Sequence, residues 1–164
     1  MRTINQEHII KLIELINKGP FFKLLSMQVR ELSLGYCKLE VDLDTKHLNP
    51  FGGLHGGVYA SLIDTATYWA IYCDLDEDVG LVTIDLKVDN LSPIKDGTLI
   101  VEGKAIKVGR TICLSEATVR TVEGKLLSHG TSKTMKTVGL QSINQAVQNM
   151  GYDSLPPKFI ETKE

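Results

Sequence analysis

A single acidic residue interrupts a long apolar stretch in the middle of the chain. Between Val58 and Cys73 the only charged side chain is that of Asp64. An unpaired carboxylate buried among apolar groups is costly, or it becomes protonated. In an enzyme such a carboxylate acts as a general base or a nucleophile. The alternative is a structural residue, bonded to a neighbouring hydroxyl such as that of Ser61 or Thr65 or paired with a distant base.

Four glycines lie just ahead of this stretch and surround a histidine. Gly52, Gly53, Gly56 and Gly57 bracket His55 where a helix is expected to begin. The first N–H groups of a helix have no intrahelical partner and carry the positive end of its dipole. A glycine there lets a substrate carbonyl approach a backbone N–H, which can stabilise the oxyanion formed when an acyl carbon is attacked. A tight turn without catalytic use is the other interpretation.

The glycine turn and Asp64 are separated by about two helical turns. At a rise of 1.5 Å per residue this is on the order of 12 Å. A carboxylate of the same subunit is then too far from a carbonyl at the turn, so a second copy of the chain is expected to supply it. His47, Asn49 and His55 add side-chain donors around the loop, and His55 could bind the carbonyl or orient the loop. A metal site formed by His47, His55 and Asp64 lacks a recognised ligand spacing.

The hydropathy pattern predicts the scaffold that holds these residues. Residues 54 to 73 are apolar almost all round, which is typical of a buried helix. A hairpin with alternating polarity is predicted over residues 27 to 44. Four further strands are predicted at about residues 81–89, 98–107, 111–121 and 125–136. Because short turns join them, neighbouring strands should be antiparallel. The expected fold is α+β, with a six-stranded antiparallel sheet wrapped around one long central helix.

Short helices are predicted at both ends of the chain. Asn5 caps the first, which Gly19 and Pro20 end. A capping box of Ser142 and Gln145 starts the last, which runs to Gly151, and the residues beyond it are expected to form a tail. The predicted divisions are an N-terminal helix and lead-in (1–26), the sheet and central helix (27–136), and a C-terminal helix and tail (137–164). Two histidines receive only surface or sheet roles: His8 and His129.

Composition excludes several classes of function. Eighteen Lys and Arg against twenty Asp and Glu give a net charge of -2, and no basic cluster marks a nucleic-acid or polybasic membrane surface. Cys37, Cys73 and Cys113 are odd in number and far apart, which predicts small core residues in a reducing compartment. The longest uncharged stretch, residues 48–63, contains a proline and four glycines and cannot span a membrane. A cytoplasmic protein is expected.

One segment resembles a known signature. His47-Leu-Asn-Pro-Phe-Gly-Gly-Leu-His-Gly-Gly57 followed by Leu62-Ile-Asp64 is similar to the HxNxxGxxHGGxxxxLxD motif of hot-dog acyl-CoA thioesterases of the PaaI-like, phenylacetate-pathway type. The similarity runs from about Met27 to Lys136. It implies a hot-dog fold and hydrolysis of acyl-CoA to free acid and CoA, with no cofactor besides the CoA of the substrate. The helix expected after Met135 extends beyond the usual end of that fold, and Gly103 in the strand at 98–107 indicates a bulge.

The same resemblance implies a role for each matching residue. Asp64 corresponds to the carboxylate that activates water or attacks the thioester, and Gly56 to the backbone N–H that polarises the carbonyl. Asn49 and His55 correspond to side chains at the carbonyl and the loop. Thr83, in the segment Val-Thr-Ile-Asp, corresponds to a residue that helps to position the water.

Substrate contacts and assembly are also implied. The residues expected to contact the substrate or its CoA are His47, Gly57, Gly109 and Arg110, the last as a phosphate partner. Members of the family form homodimers or homotetramers, with the active site between subunits. Aromatic residues that could line the acyl pocket, or simply fill the core, are Phe51, Tyr59, Tyr68 and Trp69.

Two other functions fit the same fold. A hydratase or dehydratase typically carries a His-Phe-Pro-Gly or Asp-x-x-x-x-His pattern, and neither occurs here. A non-catalytic domain that binds or senses acyl-CoA usually loses the carboxylate and gains a DNA-binding segment, whereas this chain retains Asp64.

Overall fold

A computed structural model describes residues 2–161 as one sheet wrapped around a central helix, with a second, two-stranded sheet joining the ends. The helices are α1 (Gln6–Asn17), α2 (Pro20–Leu25), α3 (Gly56–Tyr72) and α4 (Ile143–Asn149), with a 3-10 turn at Thr45–His47. The strands are β1 (Arg2–Ile4), β2 (Met27–Ser33), β3 (Tyr36–Asp42), β4 (Val79–Asn90), β5 (Thr98–Val108), β6 (Ile112–Thr121), β7 (Leu126–Val138) and β8 (Phe159–Glu161).

The main sheet has six antiparallel strands in the order β2-β3-β5-β6-β7-β4. The predicted α+β architecture is therefore confirmed. α3 packs across the inner face of this sheet, where one side of each strand supplies the core. β4 follows α3 in the chain but lies at the edge of the sheet, so one of its sides has no neighbouring strand among the described residues.

The central helix lies unusually close to two strands. Leu62, Ile63 and Ala66 of α3 are fully buried. A β-carbon on Gly103 of β5 would overlap the backbone carbonyl oxygen of Ala66, and one on Gly130 of β7 would overlap the Lys87 carbonyl oxygen and the Ile63 side chain. Glycine at Gly103 lets the helix backbone approach the sheet, and glycine at Gly130 leaves room for the Ile63 side chain and the neighbouring strand.

The predicted bulge at Gly103 is wrong. Strand pairing is continuous from Glu102 through Gly103 to Lys104, and the register shift in β5 lies between Ala105 and Lys107. The glycine is explained by the approach of α3 rather than by an extra residue in the strand.

The starts of two helices differ from the sequence prediction. α3 begins at Gly56 rather than Leu54, because His55 is the N-cap residue. A short helix that the sequence did not predict, α2, starts at Pro20 directly after α1. Proline suits the first position of a helix because its fixed φ is helical and its missing N–H would have no partner there. Pro20, which was predicted to end α1, therefore begins α2, while α1 itself ends at Asn17.

The C-terminal segment is not a free tail, which corrects the sequence prediction. β8 pairs with β1, and Lys158 is fully buried beneath the end of α3. Its Nζ donates hydrogen bonds to the carbonyl oxygens of Tyr72 and Leu75, at 2.6 and 2.7 Å. The Tyr72 carbonyl belongs to the last turn of α3, where helix carbonyls lack intrahelical partners, and the Leu75 carbonyl lies just beyond it. Lys158 of the C-terminal segment therefore caps the central helix.

His8 is also placed differently from the prediction, because only 2% of its surface is exposed. Its Nδ1 lies 2.6 Å from the Pro156 carbonyl oxygen and its Nε2 lies 2.7 Å from the Tyr72 hydroxyl. A carbonyl can only accept, so Nδ1 donates, and in the neutral ring Nε2 accepts from the tyrosine. Burial lowers the pKa of His8 below its ordinary value of 6.5. His129, in contrast, lies in β7 beside Glu116, as predicted.

The buried His8 predicts a pH dependence of stability. The folded chain keeps the imidazole neutral at a pH where the unfolded chain, with a pKa near 6.5, already binds a proton. Stability is therefore lost as pH falls through 6.5 towards the lower folded pKa. In urea denaturation at about pH 7.5 and about pH 5.5, we expect the wild type to lose more unfolding free energy than His8→Gln, which cannot titrate. Equal losses would contradict this role of His8.

All three cysteines are buried and unpaired, so their prediction as core residues is confirmed.

None of the helices formed by residues 2–161 has the length and apolar character needed to cross a lipid bilayer.

Candidate active site

The loop that precedes α3 is held by His47. Its ring is fully buried, Nδ1 accepts from the Asp44 backbone N–H at 2.9 Å, and Nε2 lies 2.7 Å from the Leu25 carbonyl oxygen. Its own carbonyl accepts from the His55 N–H at 2.9 Å. Because both ring nitrogens are occupied, the structure gives His47 a positioning role and does not bring its side chain to a ligand. A metal site that uses this ring is disfavoured for the same reason.

Asn49 closes the turn in front of the helix. Its Oδ1 accepts from the backbone N–H groups of Phe51 and Gly53, at 2.9 and 3.2 Å. Gly52, at the apex, has a φ of 83°, a conformation that glycine adopts without strain. The Asn49 Nδ2 has no hydrogen-bond partner within residues 2–161. That amide nitrogen therefore keeps donors for a ligand.

The start of α3 presents an unpaired backbone donor at Gly56. His55 is the N-cap residue, and its Nδ1 accepts from the Gly57 N–H at 2.8 Å. The Val58 N–H donates to the His55 carbonyl at 2.9 Å. In the described part of the chain the Gly56 N–H has no acceptor. Of the two glycines, Gly56 is thus the one whose N–H can meet a carbonyl, while His55 orients the turn and Gly57 completes the cap.

A cavity of about 290 Å³ opens beside Gly56. Its wall includes Tyr59, whose hydroxyl donates to the Ser92 carbonyl, and Asn90 at the end of β4. The Asn90 Nδ2 lies 3.1 Å from where a β-carbon on Gly56 would be, and its Oδ1 accepts from the Ser128 hydroxyl at 3.1 Å. Sequence reasoning missed Asn90, because alternation along a strand does not show that its last residue meets the start of a helix.

Asp64 lies half-buried on α3 and has one hydroxyl partner. The Thr83 Oγ1 donates to the Asp64 Oδ1 at 2.9 Å. Ser61 and Thr65 do not bond the carboxylate, because their hydroxyls donate to the backbone carbonyls of Gly57 and Ser61. The structural alternative based on those two hydroxyls is therefore wrong.

The carboxylate is also free of salt bridges. No lysine, arginine or histidine within residues 2–161 pairs with it. In the same range Oδ2 of Asp64 accepts no hydrogen bond. One turn further along α3, burial and the nearby Asp64 charge raise the pKa of Tyr68 to about 12. A half-buried carboxylate with one oxygen held and the other unoccupied is suited to accept a proton or attack a carbonyl carbon.

The structure forms two clusters rather than one. The first, the glycine cluster, contains Asn49, His55 and Gly56, and the second, the carboxylate cluster, contains Asp64 and Thr83. Within one chain, eight residues of α3 separate Gly56 from Asp64, about 12 Å at the helical rise. The two clusters therefore do not meet on a single carbonyl of the same subunit.

Gly109 and Arg110 contact neither cluster in the same chain. Arg110 is exposed in the turn between β5 and β6. In the sheet, β7 lies between β6 and β4, the strand that carries Thr83. A β-carbon on Gly109 would overlap the Ile112 carbonyl oxygen, so this glycine is required by the tight turn itself.

Comparisons with known proteins identify the family. A model described as "Thioesterase superfamily" matches residues 51–128, the segment with most of the glycine turn, Asp64 and Thr83. A Saccharolobus solfataricus protein named "Putative esterase" is 32% identical over 119 residues, covering 71% of this chain and 84% of that protein. This chain belongs to the thioesterase superfamily. A second "Putative esterase" of that organism is 32% identical over 99 residues, covering 60% of this chain and 65% of that protein, slightly under two thirds.

Two proteins that are named as thioesterases agree with this assignment. Mouse acyl-coenzyme A thioesterase 13 is 27% identical over 128 residues, covering 76% of this chain and 91% of the mouse protein. The crystal structure of a Haemophilus influenzae thioesterase superposes with a TM-score of 0.73 at 24% identity, covering 79% of this chain and 90% of that one. The predictions of the superfamily and of the enzyme class of thioester hydrolases are thereby confirmed. The structural similarity confirms the hot-dog fold.

Proposed function

We propose that the chain hydrolyses acyl-CoA thioesters to free acids and CoA, in the manner of the PaaI-like type. The observation that carries the proposal is the state of Asp64, whose Oδ1 is held by Thr83 while Oδ2 has no partner in the described range. The similarity to mouse acyl-coenzyme A thioesterase 13 supports CoA as the thiol of the substrate. The chemistry uses no cofactor apart from the CoA of the substrate itself.

The proposed reaction places the thioester carbonyl oxygen at the start of α3. The Gly56 N–H and the Asn49 amide donate to that oxygen and stabilise the negative charge it gains when its carbon is attacked. Two routes are open to Asp64. It removes a proton from an attacking water, or it attacks the carbon itself and forms an anhydride that water then cleaves. In both routes the C–S bond breaks and CoA leaves as a thiolate. The thiolate is stable enough to leave without first being protonated.

A homodimer would complete this site. β4 is an open sheet edge, on which Ile84 is 49% and Leu86 is 36% exposed. Antiparallel pairing of β4 with the β4 of a second copy sets the Asn90 end of one strand against the Thr83 end of the other. Asn90 lies beside Gly56 and Thr83 is bonded to Asp64. The pairing thus brings the glycine cluster of one subunit to the carboxylate cluster of its partner.

Further contacts and assembly follow from the same proposal. Arg110 is exposed and would contact a CoA phosphate from outside both clusters, at a subunit boundary. Two such dimers can pair into a homotetramer through surface that the β4 edge does not use. The free thiols of the three buried cysteines fit a cytoplasmic location.

The proposal is tested by incubating the protein with a panel of acyl-CoAs and a thiol-reactive dye. We expect release of free thiol in proportion to enzyme and time. Binding of acyl-CoA for hours without thiol release would instead show a sensor domain. A change in enoyl-CoA absorbance without thiol release would show a hydratase.

Thr83 provides a separate prediction for the same reaction. Thr83→Val removes the hydroxyl that holds Asp64 Oδ1, a hydrogen bond to a charged group. We expect kcat for acyl-CoA hydrolysis to fall about 10- to 100-fold. Thr83→Ser retains the hydroxyl and should stay close to the wild type. Equal kinetics for the Val and Ser variants, measured by thiol release, would exclude this role of Thr83.

A further inference from the structure

A second cavity lies along α3 beyond Asp64, with a volume of about 260 Å³. Three elements form its wall, and α4 of the C-terminal segment is one of them. The residues that matter here are Tyr68, Trp69 and Tyr72 from α3, Leu81 from β4, and Ala146 and Asn149 from α4. Most of this lining is aromatic or aliphatic, so the cavity suits an apolar group.

The cavity begins next to the carboxylate cluster. Asp64 and Tyr68 are four residues apart on α3 and therefore lie on the same face of the helix. Thr83 and Leu81 are two residues apart on β4, with uninterrupted register between them, and therefore face the same way. The hydrogen bond from Thr83 to Asp64 joins the helix and the strand at one point. α3 and β4 form a groove that leads away from this point. Tyr68 and Leu81 are the next pair of residues along this groove, and both line the cavity.

The far end of this groove is occupied by the chain that leads into α4. A β-carbon on Gly80 of β4 would overlap the carbonyl oxygens of Leu140 and Gln141, so this segment lies directly on the strand. α4 then places Ala146 and Asn149 in the wall of the cavity. The residues of α4 lie outside positions 51–128, which the superfamily model matches. This wall is thus built by a part of the chain beyond the matched region.

We propose that the cavity receives the acyl group of the thioester and that α4 forms its end, so that α4 limits the length of the acyl chain that is hydrolysed. This inference rests on the proposed function. An apolar cavity of about 150 Å³ accommodates benzene, so one of about 260 Å³ accommodates a medium-length chain or a single ring with a short linker. A long fatty acyl chain would meet α4.

Ala146→Leu tests the role of α4 because it adds bulk inside the cavity. Asn144→Leu is the matched control, since Asn144 lies on α4 but not in this wall. With acyl-CoAs from acetyl to palmitoyl, we expect the wild type to favour medium chains. Ala146→Leu should lower kcat/KM at least tenfold for medium chains and leave acetyl-CoA unchanged, and Asn144→Leu should match the wild type. The same change at every chain length, or no change, would overturn the proposal. Asn149→Trp is a second obstruction if Ala146→Leu does not fold.

Fluorescence supplies a readout that does not depend on turnover. Trp69 is the single tryptophan of the chain and lines the cavity. A non-hydrolysable 2-oxoalkyl-CoA of medium length should change its emission, and CoA alone should not. Ala146→Leu should remove this change and Asn144→Leu should preserve it. Binding of the analogue, measured by calorimetry, without a change in Trp69 emission would overturn the placement of the acyl group. If the wild-type protein released thiol from none of the acyl-CoAs, the proposed function itself would instead be overturned.

Discussion

Replacing Asp64 with asparagine is expected to lower kcat for acyl-CoA hydrolysis by about 10²- to 10⁴-fold while the fold remains intact. The amide has nearly the same shape as the carboxylate, and its oxygen can still accept from Thr83. It cannot remove a proton from water, and it cannot form an anhydride with the acyl group. Thiol release measures the activity, and circular dichroism with thermal unfolding verifies the fold.

A matched variant separates this effect from a general loss of negative charge. Asp78 is exposed just before β4, and Asp78→Asn should hydrolyse acyl-CoA at the wild-type rate. An unchanged rate for Asp64→Asn would remove Asp64 from the mechanism. A large loss in both variants would indicate that overall charge, rather than the carboxylate cluster, controls the reaction.

The largest expected loss of stability comes from Gly103→Ala. The new β-carbon would overlap the backbone carbonyl oxygen of Ala66, which belongs to α3 and cannot rotate away. The helix must move off the sheet, and both clusters of the site are attached to that helix. We expect the free energy of unfolding to fall by about 3 kcal/mol, the upper end of the range for overpacking, measured by urea denaturation.

Gly53→Ala is the control for this substitution. The nearest atoms to its new β-carbon are 3.9 Å away, an ordinary contact, and its φ is not in the left-handed region. Its effect on stability should stay within about 0.5 kcal/mol. If Gly103→Ala is as stable as Gly53→Ala, α3 is not packed as closely on β5 as the overlap requires.

The sequence predicted the central helix and the sheet because their periodicity directly reports burial. Cys37, Leu39 and Val41 alternate along β3 and are all buried, and α3 is apolar on nearly every side. Asp64 could be singled out for the same reason, as the only charge in an apolar helix. The local hydropathy pattern is sufficient to predict a helix or strand when one of its faces packs against a single core.

The alternation of polar and apolar residues gave the wrong face for Thr83 because β4 contains a bulge. In β4 the sequence pattern sets Thr83 on the polar side, opposite Val82 and Ile84. The register shifts between Thr83 and Asp85, so that Thr83 faces α3 and Ile84 is 49% exposed. A bulge inserts one residue and exchanges the two faces of the strand beyond it. The pairing of Thr83 with Asp64 therefore could not be read from alternation.

Contacts between distant parts of the chain were also beyond the sequence. β1 and β8 have three residues each, too few to show a period, and they pair the two ends of the chain. His8 and Lys158 are buried only because these ends meet over Tyr72. A histidine in a short amphipathic helix gives no local sign of such a partner.

Two inactive variants combined in one dimer test most directly whether Gly56 of one subunit and Asp64 of its partner form a single site. Asp64→Asn removes the carboxylate, and Gly56→Val covers the backbone N–H beside Asn90. The two chains are co-expressed with different affinity tags, and the heterodimer is isolated through both tags. The heterodimer then contains one site with both groups intact, and we expect it to release thiol from acyl-CoA although each homodimer is inactive. A heterodimer as inactive as the two homodimers would contradict the shared site.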